Sequence, residues 1–166
     1  TKTYEADLAL ICSDFRSSIY KTSSEIVFVE CKTYFDFQKE DVKRMKAFAG
    51  KFPGAILVFA TLKKNLSKKE KMLLTPFVSS CRKLSKDERP KNPVLILTAN
   101  ELFGSSAFSL STNWERLGGK FEAIAKKYSH IDSLIELSDV TQQLHLDLSP
   151  LSEEWAINMA KKYRQK

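Results

Sequence analysis

Residues 26–32 read Ile26-Val27-Phe28-Val29-Glu30-Cys31-Lys32, an apolar run that ends in an acid and a base. β-Branched and aromatic residues in such a run are typical of a buried strand. Because residues two apart on a strand project from the same face, Glu30 and Lys32 should leave the sheet side by side. Two charges at the end of a buried strand need water, a metal ion or each other as partners, so this stretch predicts a polar site.

A second apolar segment, residues 6–12, precedes the first and contains one acid, Asp7. Its apolar and polar residues alternate poorly, which is typical of a strand that is covered on both faces. Polar residues separate it from the first run, so we expect strands at about 5–12 and 25–33 to pair antiparallel through a loop. Asp7 then lies on the strand next to the one that bears Glu30 and Lys32.

The period of the apolar residues changes after Lys32. Between residues 38 and 51 they recur at helical spacing, and Pro53-Gly54 opposes continuation of this helix. The apolar run at 55–60 follows at once. It predicts a central strand, parallel to its predecessor because a helix connects the two.

A second helix and a further strand continue the pattern. Ser67 and Glu70 have the spacing of a capping box at a helix start, and the run at 94–98 is typical of another buried strand. Strands that alternate with helices predict an α/β fold in which a mixed sheet is flanked by helices. Residues 99–166 are expected to form a peripheral helical extension, with Ser138 as the cap of one short helix.

The length of 166 residues and the hydrophobic content of 43% are those of one domain with a single core. No apolar run approaches the roughly 18 to 20 residues of a membrane span, and the first residues do not resemble a signal peptide. We therefore expect a soluble, cytoplasmic protein. Three widely spaced cysteines and two histidines argue against a zinc site or a disulfide framework. Cys12 and Cys31 are interpreted as small core residues.

The net charge of +7 is unevenly distributed. The segment from Lys63 to Lys91 contains ten basic residues and three acids, so its positive excess equals that of the whole chain. Such a cluster favours binding to a polyanion such as nucleic acid, and a solvated helix face is the alternative. The candidate nucleic-acid contacts are Lys39, Lys43, Lys63, Lys64, Lys68 and Lys69.

The acids and the lysine at the strand ends have the composition of a phosphodiesterase site. Asp7 and Glu30 can share a divalent ion, Mg²⁺ or Mn²⁺, with the backbone carbonyl of Cys31 as a further oxygen ligand. Such an ion lowers the pKa of a bound water and offsets charge that develops on the phosphorus oxygens. Lys32 orients the attacking water, helps to deprotonate it, or stabilises the pentavalent state. Asp7, Glu30 and Lys32 are therefore the candidate catalytic residues.

This arrangement resembles the PD-(D/E)xK nucleases, which have the restriction-endonuclease-like fold. The resemblance rests on Asp7 as the first acid, on Glu30-Cys31-Lys32 as the E-x-K motif, and on the helix and apolar strand that follow. It covers about residues 5–98. The stretch 93–103 further resembles nuclease domains at the C-terminal ends of larger bacterial proteins, several of them tied to restriction or phage defence. The resemblance implies a Mg²⁺-dependent DNA endonuclease.

The resemblance also bears on the surroundings of the motif. Gln38 matches a glutamine that some family members place near the site, and Glu5, on the strand face of Asp7, could act just outside the ligand set. Family members place a helix and a first strand before the acid-bearing strand, whereas Asp7 is the seventh residue here. We therefore expect residues 1–166 to be one nuclease domain, with its core at about 5–98, from the C-terminal end of a longer protein. Upstream domains of that polypeptide and a second copy of the chain are candidate partners.

Three alternatives remain open at this point. The first is a catalytically inactive module that kept the fold and serves in nucleic-acid binding or assembly. The second is a nuclease whose substrate is RNA. The third is purely structural: Asp7 makes a surface turn, and Glu30 forms with Lys32 an exposed ion pair worth at most about 1 kcal/mol.

Overall fold

The computed structural model describes residues 5–13, 24–83, 90–102 and 134–151. In these ranges four strands form one mixed sheet in the order β1-β2-β3-β4. The strands are β1 (Leu8–Ser13), β2 (Ser24–Lys32), β3 (Ile56–Thr61) and β4 (Val94–Leu97). The helices are α1 (Lys39–Lys51), α2 (Lys68–Cys81), α3 (Ala99–Leu102) and α4 (Leu134–Leu146). The predicted α/β class with a mixed, helix-flanked sheet is confirmed.

The pairing of the strands follows the expected connections. β1 is antiparallel to β2, from the Leu8–Val29 pair to the Ser13–Ser24 pair. β2 is parallel to β3, with Lys32 beside Thr61, and β3 is parallel to β4. Because α1 joins two parallel strands, the carboxyl ends of β2 and β3 lie at the same end of the sheet. This end bears Glu30 and Lys32.

Each face of the sheet carries its own apolar cluster. On one face Phe28 of β2 and Phe59 of β3 pack with residues of α1 and α2. The rings of Phe28 and Phe48 stack with centroids 4.2 Å apart, and Phe37 meets Phe59 edge-on at 5.2 Å. The opposite cluster contains Val27, Val29, Ile56, Val58, Ala60 and Leu95, and Leu134 and Leu137 of α4 pack against it. All six residues of β3 are buried, as a central strand requires.

The helix ends show where local sequence rules hold. The predicted capping box of α2 is present, since Ser67 N–H donates to Glu70 Oε2 at 2.7 Å and Glu70 N–H donates to Ser67 Oγ at 3.2 Å. After α1 the chain turns into β3 through Gly54, whose φ of +90° favours glycine. In the described ranges no helix combines the length and apolarity needed to cross a membrane.

The prediction that β1 is covered on both faces is wrong. Leu8 is 46% exposed and Ile11 is 78% exposed. Among the described strands β1 lies at the edge of the sheet and pairs only with β2. The apolar side chains of β1 are therefore exposed at the edge of the sheet, and they do not mark a buried strand. The side chain of Cys12 lies outside the described residues.

Helix α4 is part of the core, contrary to the expectation of a peripheral extension. It spans Leu134–Leu146, and its Leu134 and Leu137 pack against the sheet. Ser138 therefore lies inside the helix and donates to the carbonyl of Ile135 at 2.7 Å instead of capping the helix. The other helices expected in residues 103–133 and 152–166 lie outside the described ranges.

The outer edge of β4 obtains hydrogen-bond partners from side chains of α4. Thr141 Oγ1 accepts from the Ile96 N–H at 3.2 Å, and Gln142 Nε2 donates to the Val94 carbonyl at 2.6 Å. Both side chains are buried. An open sheet edge leaves backbone donors and acceptors unpaired, and an unpaired buried group is unfavourable. The helix therefore closes this edge chemically as well as sterically.

We expect Thr141→Val to lower the free energy of unfolding by about 1–3 kcal/mol, because an isosteric apolar side chain leaves the Ile96 N–H buried without a partner. Urea denaturation of the whole chain measures this change. The control is Thr141→Ser, which keeps the hydroxyl and loses only a methyl group, and should cost less than the valine variant. A valine variant as stable as the wild type would show that the hydroxyl contributes nothing.

Candidate active site

Glu30 and Lys32 leave the end of β2 side by side, as the strand period requires. The Lys32 ammonium lies 2.9 Å from Oε1 of Glu30. Only 1% of Glu30 is exposed, whereas the Lys32 side chain retains some access to solvent. The structural alternative of an exposed ion pair is therefore wrong in one respect: the pair exists, but its carboxylate is buried.

Helix α1 brings two further charges to this pair. Arg44 Nη2 lies 2.6 Å from Glu30 Oε1 and 2.7 Å from Asp41 Oδ1. Lys32 Nζ lies 3.1 Å from the same Asp41 oxygen. We call Glu30, Lys32, Asp41 and Arg44 the four-charge cluster. Each cation contacts both carboxylates, so two negative and two positive charges compensate each other where the carboxylates are shielded from water.

The cluster determines the charge states of its members. Burial acts to raise the pKa of Asp41, but the Gln38 N–H at 2.8 Å and the Lys32 ammonium outweigh it, so the pKa lies below its ordinary value. Burial acts to lower the pKa of Lys32, yet the bonds to Glu30 and Asp41 raise it overall. Lys32 is therefore an ammonium ion at neutral pH. This charge state favours donation to the substrate or water over removal of a proton.

Asp7 lies next to this cluster, one residue before β1. The β1–β2 ladder ends at the Leu8–Val29 pair, so Asp7 and Glu30 are the next residues on the two strands. The exposed Asp7 carboxylate accepts a hydrogen bond of 2.6 Å from the Cys31 N–H. The structure thus brings Asp7, Glu30 and Lys32 to one end of the β1–β2 pair.

The interpretation of Cys31 as a core residue is wrong, because its side chain is exposed. The apolar cluster on its face of the sheet includes Val29 but not Cys31. Partial burial, followed by the charges of Asp7 and Glu30, raises the pKa of its thiol. The charges of Asp7 and Glu30 therefore both act on Cys31.

The donor atoms at this strand end fit a hard divalent cation. Mg²⁺ is bound by one or two carboxylates and keeps several waters, so Asp7, Glu30 and the Cys31 carbonyl supply suitable oxygens. In the part of the chain that the structure describes, no three histidine, cysteine, aspartate or glutamate side chains converge on a common metal position. A cation at Glu30 Oε1 would compete with Lys32 and Arg44, which both contact that oxygen.

A second group of charges anchors the loop between β2 and α1. Glu70, which is fully buried, accepts from the Phe37 N–H at 3.0 Å through Oε1 and from Lys63 Nζ at 2.5 Å through Oε2. Lys63 Nζ also lies 2.5 Å from Asp36 Oδ1, and Ser67 Oγ donates to the other oxygen of Asp36 at 3.1 Å. The contact of Lys63 with nucleic acid stays a prediction, and its ammonium is paired with both of these carboxylates in the fold.

Two residues expected near the site have different positions. The Gln38 side chain donates to the Asp36 carbonyl at 2.9 Å, and its backbone N–H binds Asp41. Gln38 therefore fixes the start of α1 beside the four-charge cluster and reaches the E-x-K residues only through Asp41. Glu5 is exposed, two residues before Asp7.

The remaining basic residues divide into exposed and internal ones. Lys71 lies 3.2 Å from an Asp147 oxygen, and the buried Arg82 contacts Asp139 at 3.1 Å. Part of the positive excess of residues 63–91 is thus neutralised within the fold. The predicted nucleic-acid contacts that are exposed are Lys39, Lys43, Lys64, Lys68 and Lys69.

Sequence reasoning missed Asp41 and Arg44 as members of the site. Asp41 also fills the ordinary role of an acid in the first turn of a helix, since it accepts from the Gln38 N–H. One signal was present in the sequence. Asp41 stands four and seven residues before Met45 and Phe48, on the helix face that is buried, and an acid on such a face requires a cationic partner.

Comparisons with protein-family models, with curated proteins and with solved structures each found no match to this chain. Function must therefore be argued from the site itself.

We expect Asp41→Asn to be less stable than the wild type at pH 7, by about 1–3 kcal/mol, because it removes one of the two carboxylates that both cations contact. A depressed pKa stabilises the fold above the unfolded-state value of roughly 3.9 and loses this effect as the pH falls further. The stability difference between the two proteins should therefore shrink below about pH 4. Urea unfolding at several pH values measures it.

The matched control is Glu40→Gln, which removes an exposed acid from the same helical turn. If the stability difference between Glu40→Gln and the wild type depends on pH in the same way as that of Asp41→Asn, the effect comes from net charge and not from the four-charge cluster.

Proposed function

We propose that this domain hydrolyses phosphodiester bonds of DNA in a reaction that requires Mg²⁺ or Mn²⁺. One observation carries the proposal. A buried acid and a protonated lysine share the end of β2, and the acid of the neighbouring strand is hydrogen-bonded to the residue between them. These residue types are the ones that metal-assisted phosphodiester hydrolysis needs.

In this proposal Asp7, Glu30 and the Cys31 carbonyl hold the ion. The bound ion supplies a more acidic water and neutralises charge on the phosphate. Lys32 remains charged because two carboxylates raise its pKa, and it donates to the scissile phosphate or to the attacking water. Asp41 keeps Lys32 in place through the 3.1 Å contact and is a positioning residue.

The exposed lysines of α1 and of the start of α2 support a polyanionic substrate. Contacts to phosphates are independent of sequence and weaken as salt rises, so binding should be strongly salt-dependent. We further propose a role in restriction or phage defence, which rests on the sequence resemblance of residues 93–103 alone.

A second candidate function is a catalytically inactive module for nucleic-acid binding or assembly. It is favoured by the charge balance within the four-charge cluster. Arg44 and Lys32 already compensate Glu30 and Asp41, so the fold balances these buried acids without any ion. In such a module the acids and cations would only join β2 to α1.

Incubation of the protein with plasmid DNA separates the two functions. An active nuclease converts the plasmid to nicked or linear forms with Mg²⁺ or Mn²⁺ and not with EDTA. Salt-sensitive binding without any cutting selects the inactive module. A parallel reaction with an RNA of the same sequence decides which nucleic acid is the substrate.

We expect Asp7→Asn, Glu30→Gln and Lys32→Ala each to reduce the cleavage rate by on the order of 100-fold or more, because each removes charge from the reacting centre. Nucleic-acid binding, measured by fluorescence anisotropy, should change much less. The matched control is Glu25→Gln, an exposed acid at the opposite end of β2, which should cleave at the wild-type rate. Circular dichroism verifies that every variant is folded. A folded Glu30→Gln protein with wild-type activity would refute the proposal.

A further inference from the structure

The loop that follows the candidate catalytic lysine exposes two adjacent aromatic side chains. Tyr34 is 75% exposed and Phe35 is 78% exposed, while Phe37, two residues later, is fully buried. Large aromatic side chains are normally used in cores or interfaces, where their area is removed from water. Two of them side by side at a candidate active site indicate a ligand with apolar, planar faces.

This loop is anchored on both sides of the aromatic pair. Before it, the Leu62 N–H donates to the carbonyls of Lys32 and Thr33 at 3.0 and 3.1 Å. After it, Asp36 and the Phe37 N–H are bound through the Lys63 and Glu70 contacts described above. The backbone is therefore fixed at both ends of a short stretch, and a preorganised platform loses little conformational entropy when it binds.

Several lysines lie at the same end of the sheet as this loop. Lys64 follows β3 at the end of the sheet that bears Lys32, and Lys68 and Lys69 follow Ser67, which binds Asp36. The bonds from Lys63 and Ser67 lower the pKa of Asp36, and the charge of Lys69 adds to this effect. A groove of about 500 Å³ between the starts of α1 and α2 is lined by Gln38, Lys39, Glu40, Lys69, Met72 and Leu73. Exposed aromatic faces and lysines at the same end of the sheet complement bases that are joined by phosphates.

We propose that Tyr34 and Phe35 stack on unpaired bases, so that the candidate site acts on single-stranded or locally unpaired nucleic acid. The inference rests on the proposed function and specifies the form of its substrate. In a continuous duplex the faces of the bases are covered by their neighbours, so an aromatic side chain can stack only on a base that has left the helix. The lysines then hold the backbone while the aromatic pair holds the bases next to Glu30 and Lys32.

Binding measurements without catalysis test this inference directly. Labelled single-stranded DNA, single-stranded RNA and the corresponding DNA duplex are titrated with protein in EDTA and followed by fluorescence anisotropy. We expect the wild type to bind single strands at least about 10-fold more tightly than duplex, because base–aromatic stacking contributes roughly 5- to 150-fold in affinity per base. Tyr34→Ala and Phe35→Ala should each lose affinity for single strands within this range and change duplex binding little.

Three control variants separate stacking on an aromatic face from apolar contact. Ile11→Ala removes an equally exposed apolar side chain from the far part of β1 and should leave both affinities unchanged. Tyr34→Leu and Phe35→Leu keep apolar area but lack an aromatic face, so these variants should lose single-strand affinity as the alanine variants do. If the leucine variants bind like the wild type, the contact is apolar and typical of a protein partner, and the inference is overturned.

Failure of this inference is distinguishable from failure of the proposed function. A wild type that binds duplex as tightly as single strands, or alanine variants that keep the wild-type preference, overturns the stacking role even if the protein cuts nucleic acid. Conversely, aromatic-dependent single-strand binding without metal-dependent cleavage of any substrate supports the stacking role and selects the inactive binding module. The ratio of the affinities for single-stranded DNA and single-stranded RNA shows which nucleic acid supplies the unpaired bases.

Discussion

The buried carboxylates of Glu30 and Asp41 set the main constraint on this structure. An unpaired charge removed from water is strongly unfavourable, so each acid requires cations at hydrogen-bond distance. Lys32 and Arg44 satisfy both acids at once, and they do so only if the end of β2 and the first turn of α1 hold one relative position. The cluster thereby joins the strand to its following helix at the point where the apolar contacts between them give way to polar ones.

Glu70 applies the same principle one connection later. It completes the cap of α2, accepts a hydrogen bond from the backbone before α1 and forms an ion pair with Lys63. One buried acid therefore connects two loops at the same end of the sheet. Charge counted along the sequence therefore overstates the charge offered to a partner. Lys63, Lys71 and Arg82 contribute to the positive excess, yet carboxylates of the fold hold all three. In the described part of residues 63–91, the exposed lysines, Lys64, Lys68 and Lys69 among them, remain as surface charges.

The parts of the fold that could be predicted depend on local chemistry. Strand positions, the parallel connection through α1 and the capping box of Ser67 and Glu70 follow from periods and spacings within a few residues. The proximity of Asp7 to Glu30 followed from the antiparallel pairing, since it needed only the register of neighbouring strands.

The errors concern features that depend on distant residues. β1 reads as a buried strand because exposure is decided by its place in the sheet and not by its own composition. Cys31 lies just beyond the apolar cluster of its face, and no local pattern marks where such a cluster ends. The pairing of Arg44 with Glu30 requires the helix to dock at a particular height on the strand. The sequence likewise does not show that Lys63 pairs with Asp36 and Glu70, because the three residues come from different segments.

Closure of the β4 edge by α4 has a consequence for the order in which the chain folds. The hydrogen bonds of α4 to the Ile96 N–H and the Val94 carbonyl span 45 and 48 residues. They therefore form only after the long segment between β4 and α4 has been synthesised and α4 has docked on the sheet. Contacts of such sequence separation slow folding, because the entropy of closing the intervening loop is lost before the contact forms. Until α4 docks, the Ile96 N–H and the Val94 carbonyl of β4 lack these two partners. A strand with unpaired backbone groups beside apolar side chains is the form that pairs with other molecules. A nascent chain that ends before residue 142 is therefore expected to be more prone to aggregation than the finished protein.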